Sequence, residues 1–135
     1  MVRAVIDTNV LFEGLTKLGA CAQIVDAWVN RRFTPCVSTA LELEYEEVLV
    51  GKLGPEKRKV AMGALVALLN HANYTPVTAL VRPRSRDPDD DFVIECAYNG
   101  KAAIVTRNVR DLDVAKEALG LDVMTPEEFL AELER

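Results

Sequence analysis

Apolar positions along this chain fall into short runs that alternate between strand-like and helix-like spacing. Val2 to Ile6 is apolar apart from Arg3 and reads as a buried strand that ends on Asp7. Asn9 to Lys17 and Cys21 to Asn30 read as helices separated by Gly19. Phe33 to Val37 reads as a second strand, ended by Ser38. Thr39 to about Val50 is helical, with Leu41, Tyr45, Val48 and Leu49 at helical spacing and Gly51 as its stop. Lys52-Leu53-Gly54-Pro55 is a turn, and Pro55 opens a helix running to about His71. Its apolar face holds Val60, Ala64, Leu65, Leu68 and Leu69. Tyr74 to Val77 reads as a strand, and Thr78 to Arg86 as irregular and exposed. Pro88 to Tyr98 is a helix closed by Asn99-Gly100. Ala103 to Val105 is a strand ending at Thr106, Val109 to Leu119 a short helix, Asp122 to Met124 a last strand and Pro126 to Leu133 a terminal helix.

Strands that alternate with helices across crossovers of this length predict an α/β fold: three layers, α/β/α, around a parallel sheet of about five strands. At 135 residues the expectation is a single domain over residues 1–135. Ligands of such sheets sit outside the carboxyl ends of the strands, and Asp7, Ser38 and Thr106 fall at or just past those ends.

The net charge of −5 argues against a nucleic-acid binder held mainly by a positive face. It leaves room for an enzyme whose bound metal supplies positive charge. The longest apolar stretches, such as Ala64 to Leu69, are too short to span a membrane. Arg3 is followed at once by strand-like residues and then Asp7, which does not read as a signal peptide. Cys21, Cys36 and Cys96 are odd in number, widely spaced and set among apolar neighbours. They read as small core residues in a reducing compartment, hence a cytoplasmic protein.

Acids recur at the strand-to-helix junctions. Asp7 is either a helix cap or a site carboxylate; Thr8 and Asn9 can cap equally well, which leaves Asp7 for chemistry. Glu44 lies beside the stripe through Leu41, Tyr45 and Val48 and faces inward more than Glu46, although Glu42 to Glu47 also reads as one solvated face. In Arg86-Asp87-Pro88-Asp89-Asp90-Asp91, Asp87 reads as the cap, with Pro88 in the first turn and Asp89 favouring the positive helix end. Asp90 shares a face with Ile94 and Ala97, while Asp91 reads as solvated or as support behind the site. Asp111 is a fourth candidate acid, or an ordinary surface aspartate, after Thr106 and Asn108. Two carboxylates about 4 Å apart repel by roughly 4 kcal/mol at an effective dielectric near 20, so a gathering of them requires a cation. With oxygens alone on offer, Mg²⁺ or Mn²⁺ suits better than zinc. The single His71 reads as a helix-end charge. Arg107, Arg110 and the Arg82–Arg86 segment are candidate phosphate contacts, against a reading as solubilising charge, since no aromatics interleave with them.

At these residues the chain resembles the PIN-domain family, metal-dependent ribonucleases that include the VapC-like toxins of type II toxin–antitoxin pairs. The resemblance is carried by Val5-Ile6-Asp7-Thr8-Asn9-Val10, by Ser38 through Glu44 to Val48-Leu49, by Asp87-Pro88-Asp89-Asp90 leading to Ala97, and by Ile104 to Asn108 with Asp111-Leu112. It spans nearly the whole chain. The resemblance implies that Asp7, Glu44 and Asp90 are the core metal acids. Some relatives carry an aspartate two residues after the threonine, where this chain has Asn108. Others have an asparagine there and an aspartate three residues later, as Asp111 stands here. Asp111 is therefore assigned to the site, with Thr8, Asn9, Ser38, Thr106 and Asn108 as polar groups behind the acids. The resemblance further implies a flavodoxin-like parallel sheet, an RNA substrate, an antitoxin covering the acidic groove, and a homodimer. Two other readings stay open on the residues alone. One is a PIN-like module that binds a partner without catalysis. The other is an aspartate-based phosphatase, which usually needs a second aspartate where Asn9 stands.

Overall fold

In the computed structural model, residues 1–79 and 88–135 are described, with the side chains of residues 88–90 left aside. Arg82, Arg84, Arg86 and Asp87 therefore lie outside the described residues, as does most of the segment expected to be irregular. The described elements run β1 (Arg3–Ile6), α1 (Thr8–Thr16), α2 (Ala20–Val29), β2 (Thr34–Val37), α3 (Thr39–Lys52), α4 (Pro55–Leu69), β3 (Asn73–Tyr74), α5 (Pro88–Gly100), β4 (Ala103–Val105), a single 3₁₀ turn (Val109–Leu112), α6 (Asp113–Leu119), β5 (Val123–Met124) and α7 (Pro126–Leu133).

The strands form one parallel sheet in the order β3-β2-β1-β4-β5. Ala4 pairs with Pro35 on one side and Ala103 on the other. The chain thus begins at the centre of its sheet and the strand order reverses between β1 and β4, the crevice where open α/β sheets place ligands. Successive strand residues point to opposite faces, yet Ala4, Val5 and Ile6 are all at most 1% exposed. Both faces are therefore covered, giving the three-layer α/β/α arrangement. α5 lies against β1, β2 and β4, while α2 packs on α1, α4 and α7. Trp28 on α2 donates its indole N–H to the Leu68 carbonyl of α4 at 2.8 Å. Phe33 meets Trp28 edge-on at 6.2 Å and Phe129 of α7 at 5.0 Å, tying two helices to the start of β2. Among the described residues no helix is long and apolar enough to cross a membrane.

Four expectations shift. α3 runs through Gly51 to Lys52 before Leu53 turns extended. The stripe α4 buries is Ala61, Leu65 and Leu68, and Val60 is 75% exposed. β3 is only Asn73–Tyr74, one strand step earlier than expected. The helix expected over 109–119 divides into the 3₁₀ turn and α6.

A candidate carboxylate site at the carboxyl edge of the sheet

The residue directly after each strand is polar: Asp7 after β1, Ser38 after β2, Thr75 after β3, Thr106 after β4 and Thr125 after β5. Parallel pairing puts them along one edge, with Asp7 in the middle. Asp7 is 6% exposed and occupies the cap position of α1, yet its carboxylate makes no cap hydrogen bond. Instead the Thr106 hydroxyl donates to Asp7 Oδ2 at 2.8 Å, across 99 residues of chain. The same hydroxyl accepts the Asn108 backbone N–H at 3.0 Å, and Thr106 is fully buried. The Asp7 backbone N–H donates to the Val105 carbonyl at 2.9 Å, which locks the ends of β1 and β4 side by side.

Glu44 is half-buried on α3, but so are Glu42 and Glu46, and exposure does not separate them. Two neighbours do. The Tyr45 hydroxyl donates to the carbonyl of Ile6, the residue before Asp7, which seats the turn of α3 carrying Glu44 against the end of β1. Burial foremost, with smaller pushes from the Cys96 thiol and the Asp7 carboxylate, holds the Tyr45 phenol well above its ordinary value, so it stays a neutral donor. Glu42 is engaged elsewhere. The Tyr74 phenol, pushed up to about 12 by burial and then by the Glu42 carboxylate, faces it at the sheet's edge.

Asp90 stands in the first turn of α5, and its side chain lies outside the described residues. Asp91, next to it, is 8% exposed and so is buried rather than solvated. Asp111 is exposed in the 3₁₀ turn, where its N–H donates to the Asn108 carbonyl at 3.1 Å. Among the described residues no three histidine, cysteine, aspartate or glutamate side chains are grouped to hold a metal ion. The Asp7 carboxylate and the Thr106 hydroxyl bonded to it are oxygen donors, the kind a hard cation takes.

The other polar candidates take different parts. Thr8 is buried and Asn9 exposed. Ser38 is 2% exposed and accepts the Leu41 N–H at 3.2 Å as the cap of α3. Arg107 grips Glu13 with two nitrogens, Nη2–Oε2 at 2.9 Å and Nε–Oε1 at 3.3 Å, and turns its third toward Glu127 at 3.4 Å. Glu13 is held below the usual carboxylate range mainly by that guanidinium. Arg107 therefore ties α1 and α7 to the loop after β4, while Arg110 is exposed. Thr75 and Asp91 were not singled out as site residues from sequence. A β3 expected to run to Val77 hides Thr75 within a strand, and the polar, exposed Asn73 and Tyr74 before it give no apolar run to mark its end.

A family model described as a PIN domain matches residues 3–110. The uncharacterized protein MJ1680 of Methanocaldococcus jannaschii is 26% identical over 147 aligned positions, covering 99% of this chain and 93% of that protein. Among solved structures, PAE2754 from Pyrobaculum aerophilum superposes with a TM-score of 0.66 at 19% identity, covering 98% of this chain and 90% of its own. VapBC2 from Rickettsia felis, bound to a DNA fragment from the promoter, gives 0.65 at 12% identity, covering 92% and 98%. At these identities the structural likeness is one of fold.

Proposed function

Because the chain belongs to the PIN-domain family, we propose that it is a divalent-metal-dependent endoribonuclease, the toxin of a toxin–antitoxin pair, built as one domain. The observation that carries this reading is the state of Asp7: a buried carboxylate at the central strand end that declines to cap its helix and is oriented by Thr106 instead. A structural aspartate at that position would cap. Asp7, Glu44, Asp90 and Asp111 are the acids that would hold Mg²⁺ or Mn²⁺. Such an ion, when bound, supplies a lowered water pKa and charge stabilisation at a phosphoryl oxygen.

The chain's own residues prepare that chemistry. Thr106 fixes one oxygen of Asp7, and Asn108, through its N–H, fixes Thr106. Tyr45 keeps the turn bearing Glu44 at the same strand end. Arg110 is exposed beside this edge and suits a phosphate of the RNA, whereas the three guanidinium nitrogens of Arg107 already face Glu13 and Glu127. A partner antitoxin would cover the acidic edge, and a homodimer in the cytoplasm is the assembly and setting we propose.

The test is cleavage of a panel of structured RNAs with Mg²⁺ or Mn²⁺ and with EDTA, beside Asp7→Asn. Metal-dependent cuts that vanish in the variant are the expected result. Cleavage that persists in Asp7→Asn, or in EDTA, would sink the proposed site.

A further inference from the structure

Three helices enter the sheet at its amino edge through one and the same turn. In each, an N–H bonds back five residues: Arg32 to Ala27 at 2.9 Å, Ala102 to Ala97 at 2.9 Å, and Leu121 to Lys116 at 3.2 Å. The residue before each donor is left-handed: Arg31 at φ 57, Lys101 at φ 52 and Gly120 at φ 67. Glycine is the residue this turn favours, because a Cβ is strained there. Gly120 shows that the fold accepts it. The other two turns instead keep long, exposed cations. Attraction of a cation to a helix C-terminus returns something against that strain, but Gly120 shows the turn forms without it.

These two cations flank the central strand. β1 lies between β2 and β4, so Arg3, half-buried at the start of β1, stands between Arg31 and Lys101. Arg31 stands in the turn before β2 and Lys101 in the turn before β4, one on either side of β1. Arg3 is steadied by its Nε donating to the Gly100 carbonyl at 2.8 Å, and Arg31 Nη2 lies 3.0 Å from His71 Nδ1. Beside the row, Tyr98 is 42% exposed. It shares with Arg3 and Lys101 the lining of a cavity of about 820 Å³, which also includes Asp122 and Glu132. Arg32 is already paired, at 2.7 Å with Glu134, and is not part of the row.

Cations along one edge with an aromatic face beside them are how proteins hold single-stranded nucleic acid without reading its sequence: charge tracks the backbone and a base stacks on the ring. We propose that this amino edge, opposite the carboxylate edge, binds the phosphodiester backbone of a single strand through Arg31, Arg3 and Lys101, with a base on Tyr98. This surface needs no metal and stands independently of the nuclease reading. It gives a net-negative chain a local basic edge for a single strand, on the side of the sheet opposite Asp7.

The test measures binding of short labelled RNA and DNA single strands in EDTA at about 50 mM salt, where phosphate contacts are strongest. The proteins are the wild type and the double variant Arg31→Gly with Lys101→Gly. Glycine suits both turns, so the variant should melt no lower than wild type while binding about tenfold more weakly. Its salt slope should fall by about 1.4, two contacts at about 0.7 each. Arg31→Asn with Lys101→Asn repeats the loss of charge with a residue that also tolerates the left-handed region. Binding of either nucleic acid that both pairs weaken supports the surface, whether or not the protein cleaves RNA. No wild-type binding of either strand, or full binding by the glycine variant, overturns it.

Discussion

Thr106 and Arg107 are neighbours in the chain, and their partners divide the work of the β4 end. Thr106 serves Asp7; Arg107 serves the frame, through Glu13 and Glu127. Thr106→Val keeps the shape and removes a hydroxyl that both donates to Asp7 and accepts from Asn108. Leaving a buried carboxylate oxygen short of a partner costs about 1–3 kcal/mol. Loss of a group that orients a ligand costs about 10–100-fold in metal affinity or activity. The expected result is therefore a modestly lowered Tm together with Mn²⁺ dependence displaced by one to two orders of magnitude. An unchanged Mn²⁺ titration would show that Thr106 only packs. Asp7 was legible in the sequence because an apolar run ended on it. Its bond to Thr106 joins residues 99 apart and has no local signature. Glu44 is weakly marked in the sequence, and Glu42, Glu44 and Glu46 are equally half-buried in the fold, so its assignment rests on the family resemblance. Of the two readings of Asp91, solvated or supporting, its burial removes the first.

Short apolar runs closed by a polar residue locate β1, β2, β4 and β5 to within a few residues, because largely buried strands have little other pattern to show, whereas β3 is exposed at both Asn73 and Tyr74. Helix faces were harder. In α4 the stripes through Val60 and through Ala61 differ by one residue, and packing against the neighbouring helices chose Ala61, Leu65 and Leu68. The α1–α2 crossing is where one atom decides packing. A Cβ at Gly14 would lie 2.6 Å from both the Cys21 carbonyl oxygen and Val25 Cγ2, and the oxygen belongs to backbone that cannot swing aside. Gly14→Ala should therefore destabilise the protein by about 1–3 kcal/mol. Gly63, inside α4, has nothing within 4 Å of the same position. Gly63→Ala should stabilise by about 0.5–1 kcal/mol, the usual gain of alanine over glycine in a helix. Denaturant unfolding followed by the fluorescence of Trp28, buried between α2 and α4, reads both. Equal effects would mean that the two helices can part to admit a methyl group.

At the scale of the whole molecule, charge and burial set how stability responds to solution conditions. Burial pushes the Cys21 thiol up to about 11 and Cys96 to about 12, from an ordinary 9.0. A raised thiol favours the folded state fully below pH 9, where both states are protonated alike. Between pH 9 and about 12 the unfolded chain loses its protons first, so stability must fall as pH rises through that window. Tm measured from pH 7 to 11 should be level and then decline above about 9, and replacing Cys96 by alanine should flatten part of the decline. On the proposed function the acids would act the other way, through metal. The chain carries a net charge of −5, and on the proposed reading Asp7, Glu44, Asp90 and Asp111 share the carboxyl edge, where any two carboxylates at about 4 Å would repel by roughly 4 kcal/mol at an effective dielectric near 20. An ion that binds only the folded state adds about 2.7 kcal/mol at a hundred times its dissociation constant. For a chain of this length that is a rise in Tm of about 10 °C. Mn²⁺ or Mg²⁺ against EDTA should produce it in the wild type and much less of it in Asp7→Asn. An equal rise in both proteins would place the ion somewhere other than the central strand end, and no rise in either would mean that the edge does not bind metal at all.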